Sequence, residues 1–181
     1  MNKKQETLHN SLAEEFWSIS LQLYALKTVE RACLFLQDEF ECNVNLLLFG
    51  CWTAWRFNSS LGVDTFRRLN QAVSHFHGAV ILPLRNTRRQ LDHRFDQIDT
   101  KTLATLKSQL ANLELQAERV EQSILITQFN VRCGTVDVSL EAKIETAYQN
   151  IMTYCSDVLQ ISLTVENAEV RTIATGLHAL R

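Results

Sequence analysis

Apolar residues recur at helical spacing along almost the whole chain. Leu12, Phe16, Ile19, Leu23 and Leu26 follow one another at intervals of four and three, one face of a helix. Trp17, Leu21 and Tyr24 widen that face. Ser11-Leu12-Ala13-Glu14 reads as a capping box, so this helix is predicted to begin at Ser11. A second helix is predicted from near Thr28 to about Phe40, with Val29, Ala32, Cys33, Leu36 and Phe40 as its stripe. Glu41-Cys42-Asn43 breaks it, and Asn43 is a good N-cap for a third helix from Val44 to Phe57. That helix is apolar nearly all round, which predicts the centre of a bundle.

The loop at residues 58–62 leads to a fourth helix, with Asp64 as its predicted cap and Phe66, Leu69, Val73 and Phe76 facing inward. Gly78 and Pro83 predict a kink or two short helices, with Leu84, Leu91 and Phe95 continuing the buried stripe. From Leu103, apolar residues fall at 103, 106, 110, 113, 117, 120 and 124, an unbroken 3-4 repeat. With Asp99 as cap, this helix should have ~28 residues and a length of ~40 Å. After the loop at residues 130–135 a second repeat runs through Leu140, Ile144, Ala147, Ile151, Tyr154, Val158 and Ile161. The two repeats predict an antiparallel hairpin. A last short helix carries Val170, Ile173, Leu177 and Leu180.

Composition agrees with helices. There are five Gly and one Pro in 181 residues, too few for the tight turns of a β-rich fold. The expected fold is a single all-α domain over residues 1–181. Residues 1–98 form a helical bundle around a buried central helix. Residues 99–181 form a long heptad-type hairpin plus a short C-terminal helix. A chain of this length needs no metal or disulfide to fold.

Charge adds one feature. The net charge is -2, yet residues 56–95 hold seven Arg against Asp64 and Asp92, a basic island in an acidic chain. Five Cys, at 33, 42, 51, 133 and 155, form no CxxC pair. They read as free thiols of a reducing cytosol. The start MNKKQETLHN has no apolar run behind it and does not read as a secretory signal. The most apolar stretch, residues 44–57, is too short to span a bilayer.

FWSISLQLY at 16–24, ACLFLQD at 32–38, VNLLLF at 44–49 and PLRNTRRQL at 83–91 together resemble a proteobacterial helical family, a domain of unknown function. LANLELQAERVEQSIL at 110–125 resembles its later helix. The resemblance spans roughly residues 14–125. Members often carry Gly-Ala-Asp or similar before the Val-Asn pair, where this chain has Glu41-Cys42-Asn43. The resemblance implies a cytoplasmic bacterial protein and no activity.

Three groups are candidates for chemistry. Gln37, Asp38, Asn43 and Asn45 are polar groups set among apolar ones, where an unpaired polar group costs roughly 1–3 kcal/mol. Asp38, if buried, needs a cation, and Arg85, Arg88 and Arg89 are the nearest supply. The structural expectation is a buried Asp38–Arg brace, with Gln37 or Asn45 joining in. The functional expectation is a ligand pocket of Trp17, Tyr24, Gln37, Asp38, Asn45 and Trp52. Asp38-Glu39-Phe40-Glu41 also resembles the acidic motif of prenyl-diphosphate enzymes, but those need a second such motif and the chain is short for that fold.

Arg85, Arg88, Arg89 and Arg94 form a basic patch, three of them on one helical face, with Arg67 and Arg68 one helix earlier. Contact with nucleic acid or an anionic surface is a weak reading, since no aromatic residue interleaves with them. His75 and His77 do not share a face, and the Cys spacing is not that of a zinc site. No catalytic residue, metal or cofactor is expected. The leading expectation is a non-enzymatic protein-interaction or adaptor module, with an unidentified protein partner or a homodimer through the heptad helices. The alternative is a binding protein for a small apolar or anionic ligand. An enzyme acting on a phosphorylated substrate through Asp38 and the Arg cluster is the third.

Overall fold

Asn43 turns the chain into its most apolar helix. Its side chain accepts the Asn45 amide at 2.9 Å, and its backbone is extended, as an N-cap requires. The computed structural model describes residues 3–93, 95–129, 138–163 and 167–180. Over these the elements are α1 (Lys3–Tyr24), α2 (Lys27–Phe40), α3 (Val44–Phe57), α4 (Val63–Phe76), a π-helical turn (His77–Ile81), α5 (Leu82–Gln90), α6 (Thr100–Gln128), α7 (Leu140–Met152), a second π-turn (Thr153–Val158) and α8 (Ala168–Thr175), which ends in a 3-10 turn (Gly176–Ala179). The fold is all-α, and the described residues contain no strand. No described helix is long and apolar enough to cross a membrane. The loop at residues 130–135, with Cys133, lies outside the described residues.

α3 is the centre, as its all-round apolar sequence requires. Eleven of its fourteen residues are buried. α7 crosses it closely at Gly50, where an added Cβ would stand 3.2 Å from the Asn150 Cβ. Asn150, fully buried, donates to the Gly50 and Ser59 carbonyls and accepts the Leu61 amide. One amide thus fastens α7 to α3 and to the loop that follows α3.

Several expectations are corrected. Ser11 does not start α1, which begins eight residues earlier. Lys, Gln and Glu in the preceding stretch are good helix formers and carry the helix past the capping box. Asp64 sits in the first turn of α4, and Gly62 holds the cap position. Across Gly78–Pro83 the chain stays helical without a gap rather than forming two separate short helices. Pro83 offers no N–H, and the helix widens ahead of it into the π-turn, where Leu82 N–H reaches the His77 carbonyl. Phe95 is exposed and Leu84 and Leu91 only half-buried, because Arg85 takes the next inward position after Ile81.

The heptad hairpin does not form. α6 packs on α1, α4 and α5, whereas α7 packs on α3 and α8. On α6 the predicted seam faces largely outward: Leu106, Leu113 and Val120 are 43, 49 and 50% exposed. Its buried face is Glu114, Ala117, Glu121, Gln122, Leu125 and Ile126. The stripe on α7 is inward, with Ile144, Ala147 and Ile151 buried, but against α3, and Tyr154 in the π-turn that follows is buried against Phe66 of α4. Val170, Ile173 and Leu177 bury α8 and the turn after it against α2 and α7.

Candidate functional site

Glu114, Glu118 and Glu121 fall at spacings of four and three on the inner face of α6, an acidic stripe turned into the protein. Their partners come from α5 and from the start of α3. On α5 the i, i+3, i+4 spacing points Arg85, Arg88 and Arg89 to one side. Arg85, 6% exposed, donates from Nε to Glu114 Oε1 at 2.7 Å and from Nη2 to Glu118 Oε1 at 2.9 Å. Arg88 Nε reaches the other Glu114 oxygen at 2.6 Å.

The two carboxyls respond oppositely. Burial pushes Glu114 up, but the hydrogen bonds from Arg88 and Arg85 outweigh it and hold this carboxyl below its ordinary value. For Glu118 burial outweighs the attraction of Arg85, and the carboxyl is raised.

Glu121 is fully buried. It accepts Asn43 Nδ2 at 3.0 Å and Asn45 Nδ2 at 2.6 Å, and His77 Nδ1 stands 2.9 Å from its Oε1. The cap of α3, the first π-turn and α6 therefore meet at one carboxylate. Tyr154, in the second π-turn, accepts the Asn43 amide at 3.1 Å. Beside this hub Gln122 Nε2 donates to Asn45 Oδ1 at 2.8 Å and to Ser20 Oγ at 3.0 Å. Gln122 Oε1 is buried and accepts no hydrogen bond from the described residues.

Between these polar groups and the aromatic side of α1 lies a half-open cleft of about 260 Å³. Trp17, Leu21 and Tyr24 of α1, Leu34 and Gln37 of α2, Asn45 and Leu48 of α3, the three arginines of α5, and Leu115, Glu118 and Gln122 of α6 line it. Four of the ligand-pocket residues expected from sequence, Trp17, Tyr24, Gln37 and Asn45, thus share one cleft with Arg85, Arg88 and Arg89.

Asp38 and Trp52 are placed elsewhere. Asp38 is not buried: it pairs with Arg89 at 2.7 Å, and both side chains are 45% exposed. Gln37 braces only Asp38, its neighbour on the same helix. Trp52 is a core residue packed on Phe16, Phe49 and Phe57, its indole N–H directed at Glu15. Arg94 lies outside the described residues.

Sequence reasoning missed Glu114, Glu118, Glu121 and Gln122, and weighed His77 only as a metal ligand. The available signal was the charge match between PLRNTRRQL and the acidic stripe of LANLELQAERVEQ.

Cys33, Cys42, Cys51 and Cys155 are free and buried. Burial pushes the Cys51 thiol up to about 12 and raises Cys33 further, so both are neutral at pH 7. Among the described residues no group of three or more His, Cys, Asp or Glu is placed to hold a metal ion.

A family model described as a protein of unknown function, DUF2390, matches residues 15–125. Every residue lining the cleft falls within that span, which excludes α7 and α8. No curated protein and no solved structure matches the chain.

Proposed function

We propose that this chain, which belongs to the DUF2390 family, is a non-catalytic binding protein that holds a small amphipathic anion in the cleft between α1, α3, α5 and α6. The observation that carries this reading is the meeting of Trp17 and Tyr24 with Arg85, Arg88 and Arg89 around one cavity. Apolar walls with a few convergent polar groups are what small-molecule sites offer. By comparison with an apolar cavity of ~150 Å³ that takes benzene, the space fits about ten non-hydrogen atoms. Leu21 and Leu115 on the lip are 45 and 42% exposed, so an occupant covers apolar surface that water now touches.

Charge selects the sign of the ligand. Three guanidinium groups line the cleft against two carboxylates, Glu114 and Glu118, so the lining itself carries one cation in excess, while Asp38, outside it, pairs with Arg89. Arg88 and Arg89 are the partly exposed members and meet the anion at the mouth. Catalysis is not part of this reading, because the cleft offers no nucleophile beside a base. A cytoplasmic location belongs to it, supported by the free cysteines.

The test is titration of the full chain with amphipathic carboxylates and their neutral and cationic counterparts, followed by tryptophan fluorescence and melting temperature. Saturable binding of the anions alone, with the fluorescence change lost in Trp17→Phe, supports the reading. Equal response to cations defeats it.

A protein-interaction or adaptor role remains the second reading, favoured by Leu106, Leu113 and Val120 standing in solvent at seven-residue spacing on α6. A homodimer through this face is concentration-dependent and is lost in Leu113→Glu, as light scattering would register. A nucleic-acid surface has less support, since Arg85, Arg88 and Arg89 all sit against carboxylates.

A further inference from the structure

We propose, resting on the cleft as a ligand site, that Asp38 is a built-in competitor for the ligand's anion. Arg89 exchanges Asp38 for the occupant when the cleft fills, and the single charge it brings selects a monoanion, a small aromatic carboxylate.

The three arginines of the lining differ in what holds them. Arg85 is buried and divided between Glu114 and Glu118. Arg88 shares Glu114, whose side chain is as closed off as that of Arg85. Taking either arginine away would leave a buried carboxylate short of its cation, which is costly. Arg89 is held differently. Its Nη2 meets Asp38 Oδ1 at 2.7 Å, and both side chains are 45% exposed. A pair standing in water is worth little, because solvent and salt compete for both partners. Of the three, Arg89 is the one that an arriving anion can take.

Asp38 is placed to give it up. It stands outside the lining, whereas Gln37 and Arg89, the two groups it holds, belong to the lining. Gln37 Nε2 donates to the same Asp38 oxygen at 3.0 Å, so the carboxylate keeps that bond and meets water when Arg89 leaves. Burial pushes the Asp38 carboxyl up, but the hydrogen bonds from Arg89 and Gln37 outweigh it and hold it below its ordinary value. Asp38 therefore competes as a full charge at pH 7.

Charge and size set the class. In the lining Arg85, Arg88 and Arg89 face Glu114 and Glu118, which leaves one positive charge once Asp38 is displaced. One negative charge balances it. A second would meet the two glutamates with no further cation to offset it. A benzene ring on a short carboxylate arm has about ten non-hydrogen atoms, the size that a cleft of about 260 Å³ takes, and Trp17 and Tyr24 supply aromatic walls.

Phenylacetate and phenylacetamide make the test, because they match in shape and differ in charge. Calorimetric titration of the full chain at low ionic strength is expected to give phenylacetate a Kd about tenfold below that of the amide. Asp38→Asn should lower the phenylacetate Kd by a further factor of about three to five and leave the amide within about twofold. Asp38→Glu, which keeps a competitor, should stay near the wild-type chain. With Arg89→Gln added to Asp38→Asn, the gain should vanish, because Asp38 acts through Arg89. Phenyl phosphate, largely a dianion at pH 7, should bind more weakly than phenylacetate. Asp38 and Arg89 are exposed, so these variants are expected to fold. If phenylacetate binds the wild-type chain but Asp38→Asn does not tighten it, or the gain survives the loss of Arg89, the exchange fails and the cleft reading stands. Tighter binding of phenyl phosphate overturns the single-charge selection. If phenylacetate binds neither the wild-type chain nor Asp38→Asn at millimolar concentration, both readings fail.

Discussion

Arg85 Nε lies 2.7 Å from Glu114 Oε1, and each side chain is only 8% exposed. The pair closes α5 onto α6, and Glu118 and Arg88 complete it. Removing Arg85 takes the guanidinium from Glu118 and leaves Glu114 with Arg88 alone, both in a poorly hydrated setting. Arg85→Ala is therefore expected to cost about 3–5 kcal/mol, or roughly 6–20 °C of melting temperature for a chain of this size. Thermal melting by circular dichroism measures it, and a drop of under about 3 °C would show that the pair adds nothing.

Asp38→Ala should behave differently. Asp38 and Arg89 make an equally short contact but stand in water. The expected loss is below about 1 kcal/mol. Melted side by side, the two variants separate what the distances alone do not.

That contrast marks where the sequence was legible. Helix α3 and its Asn43 cap were readable because an all-round apolar run and a capping side chain are local signals. The inward face of α6 was not. Its Leu106–Leu113–Val120 repeat is as regular as a core seam, and periodicity alone does not say which face turns in. What decided was the need of Glu114, Glu118 and Glu121 for donors, and those donors lie on α3, α5 and the first π-turn, distant in sequence. Asp38 was misplaced for a related reason. It neighbours buried Leu36, but two residues on it has rotated to the wet side of α2. The aromatic half of the cleft, Trp17 and Tyr24, followed from helix spacing. Of its polar half, Gln37, Asn45 and the three arginines were named from the sequence, whereas Glu114, Glu118 and Gln122 needed the tertiary pairing.

Glu114 and Glu118 should give opposite pH signatures. Glu114 is lowered in the folded protein, so its stabilisation is full above its ordinary value of 4.5 and disappears as pH falls through the folded value. Glu118 is raised, so the folded state holds its proton more tightly. It favours folding in acid and turns into a penalty as pH rises from 4.5 through its raised value. Glu118→Gln should therefore gain on the wild-type chain as pH rises, and Glu114→Gln should fall behind it. Melting temperatures between about pH 3.5 and 8 decide; gaps that do not change with pH would refute the assignment.

Asn43 caps α3 and also feeds the buried Glu121. Its Oδ1 takes the Asn45 amide, while its Nδ2 donates to Glu121 Oε1 at 3.0 Å. At an exposed cap Asp serves as well as Asn. Here Asn43→Asp keeps the cap but sets a second carboxylate against Glu121, which is fully buried. The expected loss is about 2–4 kcal/mol, larger than that of Asn43→Ser. Urea unfolding should rank them so, and a neutral Asn43→Asp would show that Glu121 does not depend on this donor.

Two glycines test the packing around the site. At Gly50 an added Cβ would lie 3.2 Å from the Asn150 Cβ, and Asn150 is tied by hydrogen bonds to Gly50, Ser59 and Leu61. It has little room to give. Gly50→Ala should force α3 and α7 apart and cost about 1–3 kcal/mol. At Gly78, in the first π-turn, nothing lies within 4 Å of an added Cβ and the backbone has negative φ. Gly78→Ala removes freedom from the unfolded chain without a clash, and a gain of about 0.4–1 kcal/mol is expected. Chemical denaturation of both variants measures the difference. Were Gly78→Ala the more damaging, the π-turn would need glycine for a reason other than space, and His77 beside it would be the first residue to suspect.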